Sequence, residues 1–177
     1  MTTFEGFELA DFWSPEDWTR SDYTEAAPTE ETVQRLERLL GYRLPAAYVA
    51  LARSQNGGMP KRRRHATGSR TSWAQDHIAI EGIFAIGDTE MYSLGGSSGS
   101  HFWIEEWNYP PLGIYFASCP SAGHDMLALD YRECGPDGEP QVVHVDQDFN
   151  FKVTFVAESF EAFIRGLQPS EVFDPDE

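Results

Sequence analysis

The spacing of hydrophobic positions changes from helical to alternating along the chain, and the helical spacing returns at the end. Val33, Leu36, Leu39 and Leu40 line one face of a predicted helix that Thr29 caps. Glu30 and Glu31 sit beside the positive end of its dipole, and Gly41 closes it. After a tight connection a second helix opens at Pro45, whose missing N–H costs nothing in a first turn; Leu44, Tyr48 and Leu51 keep the spacing. Asn56-Gly57-Gly58 then stops it, with glycine expected as the left-handed C-cap. "HIAIEGIFAIG" predicts strands broken at Gly82. "PLGIYFASCP", "HDMLALDY", "QVVHVDQ" and "NFKVTFVA" are short, β-branched or aromatic, and bounded by Gly, Pro and Asp. Pro136-Asp137-Gly138 supplies the turn of a hairpin. In "SFEAFIRGL", Phe160, Phe163, Ile164 and Leu167 restore the helical period. Helices first, an antiparallel sheet next and one closing helix define an α+β domain over residues 29–168, its mostly antiparallel sheet flanked by helices. Residues 1–28, with Phe4, Phe7, Phe12, Trp13, Trp18 and Tyr23, read as an arm whose rings tuck against the domain. Residues 59–76 read as an exposed loop, and 169–177 as an acidic tail.

Composition narrows the class. The 177 residues are 41% hydrophobic and 14% aromatic, enough for one well-packed core. No run of 18 apolar residues is present for a membrane span, and the first residues lack the basic and apolar stretches of a secretory signal. Cys119 and Cys134 are no disulfide framework and read as reduced thiols of a cytoplasmic protein. The net charge is −16, and it is uneven. Lys61, Arg62, Arg63, Arg64 and Arg70 fall within ten residues, whereas residues 76–148 carry thirteen acidic side chains against Arg132 alone. Such a surface repels nucleic acid and anionic membranes and attracts basic proteins or metal cations; it also serves solubility.

The stretch "LPAAYVALARSQNGG", followed by "SWAQDHIAIEGIFAIG", "PPLGIYFASCPSAGHDMLALDYRECGPDGEP" and "SFEAFIRGL", resembles in order the Smi/Knr-type family of the SUKH superfamily, over about residues 29–167. That resemblance implies an α+β domain with a mostly antiparallel sheet, and binding rather than chemistry. Bacterial members of the family are typically immunity proteins that neutralise a secreted toxin, and fungal members resemble regulators of cell-wall synthesis that act through protein partners. A compact domain without long tails of the fungal kind favours the bacterial expectation.

The motifs that would carry chemistry are incomplete. Gly95-Gly96-Ser97-Ser98-Gly99 matches G-x-S-x-G, but the elbow needs a strand before it and a helix after it in a parallel sheet, and the following "SHFWIEEW" reads as a strand. Asp146-Gln147-Asp148-Phe149-Asn150 begins like a calcium loop, yet Phe151 and Ala157 stand where that loop needs glycine and glutamate; a solvated turn is the alternative. His65, His77, His101, His124 and His144 share no zinc-site spacing. His124-Asp125 invites a proton relay, but a His and Asp at a strand entrance usually serve as turn and hydrogen-bond residues. Glu105 and Glu106, adjacent in a strand, would face opposite sides. The basic run 61–64 is a weak nucleic-acid footprint in so acidic a chain, and serves as a solvated loop or an ion-pair partner of the acidic face.

The expectation is therefore a binding protein with no catalytic residue, cofactor or metal. It contacts a cognate toxin or effector through Glu105, Glu106, Trp107 and Tyr109, with Asp125, Asp146 and Asp148 as further candidates. Trp107 is also a candidate for the core. A regulatory adaptor that recruits an endogenous partner is the alternative.

Overall fold

The computed structural model describes residues 3–16 and 20–176; Trp18 lies outside them. Helix α1 (Arg20–Tyr23) belongs to the arm, and α2 (Glu30–Leu40) and α3 (Ala46–Ser54) follow. Two strands, β1 (Arg64–Ala66) and β2 (His77–Ala79), pair antiparallel as a small ribbon. The main sheet is an antiparallel meander in chain order: β3 (Gly82–Ile83), β4 (Gly113–Ser118), β5 (Asp125–Asp130), β6 (Gln141–Asp146) and β7 (Lys152–Ala157). Helix α4 (Ser100–Glu105) lies between β3 and β4, and α5 (Phe160–Arg165) closes the domain.

α2 forms as its sequence predicts. The Thr32 N–H donates to Thr29 Oγ1 at 3.1 Å, Gly41 takes the left-handed conformation, and Val33, Leu36 and Leu40 are buried. Leu39 departs from that face and is exposed. α5 is capped by Ser159, whose Oγ accepts from the Ala162 N–H. Its Phe160 and Phe163 rings meet Phe116 of β4, and Tyr48 of α3 packs on both Phe116 and Phe160. This aromatic layer joins the helices to the sheet. Phe4, Phe12, Trp13 and Tyr23 of the arm are buried in the same core. At the other end Phe173 stacks on His77, with ring centroids 4.3 Å apart.

Three sequence expectations are corrected. The glycines after α3 do not cap it: the helix ends at Gln55 in an extended conformation, and the Asn-Gly-Gly stretch docks the sheet instead. Asn56 donates from Nδ2 to the carbonyls of Ala26 and Ile86, both at 3.0 Å, and its Oδ1 accepts from the Ile86 N–H at 2.7 Å. Gly58 exchanges two backbone hydrogen bonds with Ile83. The "SHFWIEEW" segment is helix, not strand. Its aromatics favoured a strand by propensity, but Ser100 and Trp103 bury at helical spacing, with Ile104 and Trp107 half-buried behind them. The segment 59–76 is not uniformly an exposed loop. Arg64–Ala66 pairs with β2, Arg64 and Gln168 exchange backbone hydrogen bonds, and Thr71 is buried.

Asn56→Ala leaves the Ile86 carbonyl and N–H without partners in the interior, and the Ala26 carbonyl of the arm without its tether. It is expected to cost about 2–3 kcal/mol, since each unsatisfied buried group costs about 1–3 kcal/mol and small relaxations recover part. Urea denaturation measures it; a loss below about 1 kcal/mol would show that the clasp is dispensable.

Candidate partner-binding surface

α4 sets the first half of the surface. Gly99 precedes it, Ser100 Oγ accepts from the Tyr115 N–H at 3.0 Å, and the Trp103 indole donates to the Ser98 carbonyl at 3.0 Å, so the helix is pinned to β4 from beneath. Beyond its last turn Asn108 adopts a left-handed φ of 62°, which Asn tolerates better than most residues. This reversal lets the Tyr109 N–H reach back to the Trp103 carbonyl at 3.1 Å. Glu105 and Glu106 are both left exposed. They share the end of a helix, so the opposite-face expectation for a strand does not apply.

The turn before β5 supplies the second half. Ala122 and Gly123 have φ of 56° and 92°, and the Tyr109 hydroxyl donates to the Gly123 carbonyl at 2.6 Å. A Cβ on Gly123 would lie 2.8 Å from the Trp103 ring and 3.0 Å from Trp107, so both conformation and space require glycine here. Trp107 is half-buried, with its ring 5.2 Å from Trp103 and 6.5 Å edge-on from His124. His124 Nδ1 lies 2.9 Å from Asp148 Oδ1, with both side chains about half exposed. Asp148 sits in a 3₁₀ turn, Gln147–Phe149, followed by Asn150 and Phe151 at positive φ, so the calcium-like sequence is a turn. Glu105 and Glu106 thus precede Trp107 in the chain, the Trp107 ring meets His124, and His124 pairs with Asp148, an acidic strip beside one ring.

Three expected contact residues are not on it. Tyr109 is 1% exposed, packed against Tyr115 and Phe151, and burial raises its hydroxyl pKa well above the usual range. Asp125 and Asp146 are equally buried, because both point inward at the end of the sheet where they face each other in the β5–β6 ladder. Asp125 Oδ2 lies 2.7 Å from His144 Nε2, and Asp146 Oδ2 accepts from the Ser72 N–H at 2.7 Å. The buried Cys119 thiol is beside them. Burial first, then the negative charge of Asp125, pushes its pKa well above the ordinary thiol range, which disfavours the thiolate in the absence of a cation. Sequence inspection missed His124 as a surface residue and His144 as the partner of Asp125. Alternation along β6 carries the second signal, since His144 and Asp146 share a face.

The basic segment associates with aromatic rings and with the arm. Arg64 lies over Trp73 and Arg70 over Phe149, at 5.7 and 5.9 Å, and Lys61 pairs with Asp11. Ser97 is exposed in the turns ahead of α4. A helix does follow the G-x-S-x-G stretch, but it is preceded by turns and the main sheet is antiparallel, so the nucleophile elbow is missing. Ser97→Ala is expected to leave partner binding unchanged, and a fluorophosphonate probe to leave the chain unlabelled. Stoichiometric labelling at Ser97 would revive a hydrolase.

The fold and this geometry define an α+β domain built on an antiparallel meander, with an acidic-aromatic strip where α4 meets the sheet. Among the described residues no helix is long and apolar enough to cross a membrane. The chain belongs to the SMI1 / KNR4 family (SUKH-1), which matches residues 27–166, a span that holds α2 through α5 and the whole strip. No curated protein matches the sequence.

Proposed function

We propose that the protein is an immunity-type protein of a bacterial toxin–immunity pair, cytoplasmic, which binds a secreted toxin directly and neutralises it without catalysis. The observation that carries this reading is the strip itself: three exposed carboxylates, Glu105, Glu106 and Asp148, with His124 and the half-buried Trp107 linking them, beside turns joined by the buried Tyr109–Gly123 hydrogen bond. Binding sites of this composition combine an aromatic anchor with charge that recruits a partner of opposite sign. Family membership supports it, as does the position of the strip on rigid turns, where it needs little ordering on binding.

The test is co-expression with the product of the adjoining reading frame. The expected result is a one-to-one complex on size-exclusion chromatography and rescue of growth in cells that make that product. Weak binding to host proteins, with no protection against any neighbouring product, would replace the reading with the regulatory adaptor.

A further inference from the structure

The strands β4, β5 and β6 end together on a buried polar cluster that binding at the surface does not use. Cys119, Asp125 and His144 are 2%, 1% and 0% exposed, and one ligand atom from each lies within 4.8 Å of the others. Asp125 Oδ1, His144 Nδ1 and Asp146 Oδ1 are all buried without a hydrogen-bond partner. Orphaned polar atoms in this density are costly, and such atoms ask for a compensating water, ion or strain. Two carboxylates also face each other here in ladder register. Among the described residues neither is paired with Lys or Arg; Lys152, next to Asp146 on β7, donates to the Arg70 carbonyl instead. A protein interior does not hold two such groups without a compensating charge or proton.

We propose that this cluster is a structural zinc site, with Cys119, Asp125 and His144 as ligands and Asp146 beside them for the fourth position. One thiol, one imidazole and carboxylates form a tetrahedral zinc donor set. Calcium and magnesium take oxygen ligands and are excluded by the sulfur and nitrogen. The geometry needs only small adjustments. Tetrahedral zinc places its ligand atoms about 3.3–3.6 Å apart, so with His144 ligating through Nε2 its 2.7 Å contact with Asp125 Oδ2 opens slightly and the thiol moves inward, while His144 Nδ1 stays outside the ligand set. The ion takes the thiol as thiolate, and its two positive charges compensate the carboxylates. An outer shell is already present: the Ser72 N–H on Asp146 Oδ2, and Ser121 Oγ accepting from the Asp125 N–H at 3.2 Å. The segment around Ser72, with Thr71 buried, covers the cluster, so the metal enters as the chain folds. Its place in the fold gives it a role whatever the partner is. His124 adjoins Asp125, and the Asp148 turn adjoins Asp146, so the ion holds one end of the acidic strip.

The experiment uses the full chain, expressed with zinc, passed over a chelating resin and analysed for metal by mass spectrometry. About one zinc per chain is expected. Cys119→Ser and His144→Gln are expected to lose it, while Cys134→Ser, at an exposed thiol, keeps it. Buried substitutions can unfold the domain, so wild-type protein is also refolded from denaturant with cobalt. A thiolate-to-cobalt charge-transfer band is expected, together with a higher denaturation midpoint when refolding is done in zinc than in chelator. Metal-free protein whose stability ignores zinc, and which shows no cobalt–thiolate band, overturns the proposal. So does metal retained equally by folded Cys119→Ser and His144→Gln, which would place it on surface carboxylates.

Discussion

Gly57→Ala is expected to cost about 3–5 kcal/mol, far more than its single added methyl suggests. Gly57 has φ of +88°, a region costing an L-residue about 1–2 kcal/mol. The larger part is steric. An added Cβ would sit 2.1 Å from the Tyr23 carbonyl oxygen and 2.9 Å from the Ala85 backbone nitrogen. Both neighbours are main chain, so no rotamer change relieves the clash, and the arm must separate from the sheet by more than an ångström. The consequence reaches beyond one turn, because Glu25 pairs with Asn56 here and Tyr23 hydrogen-bonds Ser118 at 2.8 Å. Gly41→Ala is the control. Its φ of +84° is nearly the same, but nothing lies within 4 Å of its Cβ position, so only the conformational cost of about 1–2 kcal/mol remains. Urea denaturation of the two variants side by side checks the difference. Equal losses would mean that the arm does not pack on Gly57 as described.

That contrast shows why some of the fold is legible in the sequence and some is not. Local rules carry α2, whose cap, first-turn acids and closing glycine all lie within thirteen residues, and the meander, whose strands are bounded by turn residues. The Asn-Gly-Gly stop was visible as punctuation, but its purpose depends on Ala26, Tyr23 and Ile86, up to about thirty residues away. α4 was missed because its six residues are too short for periodicity to outweigh the strand preference of Phe102, Trp103 and Ile104. The strip was half legible. Composition pointed to Glu105, Glu106, Trp107 and Asp148, yet carboxylate type alone could not separate exposed Asp148 from buried Asp125 and Asp146. The apolar runs could have done so in part, since Asp125 and Asp146 stand at the ends of strands buried along nearly their whole length. The cluster of Cys119, Asp125 and His144 escaped for a related reason: Cys119 follows β4 while Asp125 and His144 lie in β5 and β6, so no linear spacing announces them.

Charge reversal on the strip is expected to separate recruitment from holding. Toxin domains that cleave nucleic acid are often basic because they hold phosphates; under the proposed function, an acidic strip on a chain of net charge −16 would mimic the field of their substrate. Complementary fields act mainly on association, raising it toward about 10⁸–10⁹ M⁻¹s⁻¹ at low salt from about 10⁵–10⁶ M⁻¹s⁻¹ without steering. Glu105→Lys with Glu106→Lys should therefore slow association by about 10-fold or more at low salt and flatten its salt dependence, with little change in dissociation. Under the proposed function Trp107 would be the anchor. It is half-buried against Trp103 and His124, so binding can finish the desolvation of a ring that is already positioned. Trp107→Ala should then accelerate dissociation by about 30-fold, a 2 kcal/mol hot-spot loss, and leave the salt dependence of association intact. Tyr109→Phe is the discriminating control, because its buried hydroxyl serves Gly123 and not the surface. It should lower stability while changing the two rates far less than Trp107→Ala does. Surface plasmon resonance against the co-purified partner at two salt concentrations measures all three. An association rate indifferent to both salt and charge reversal would assign the −16 to solubility and remove the strip as the docking surface.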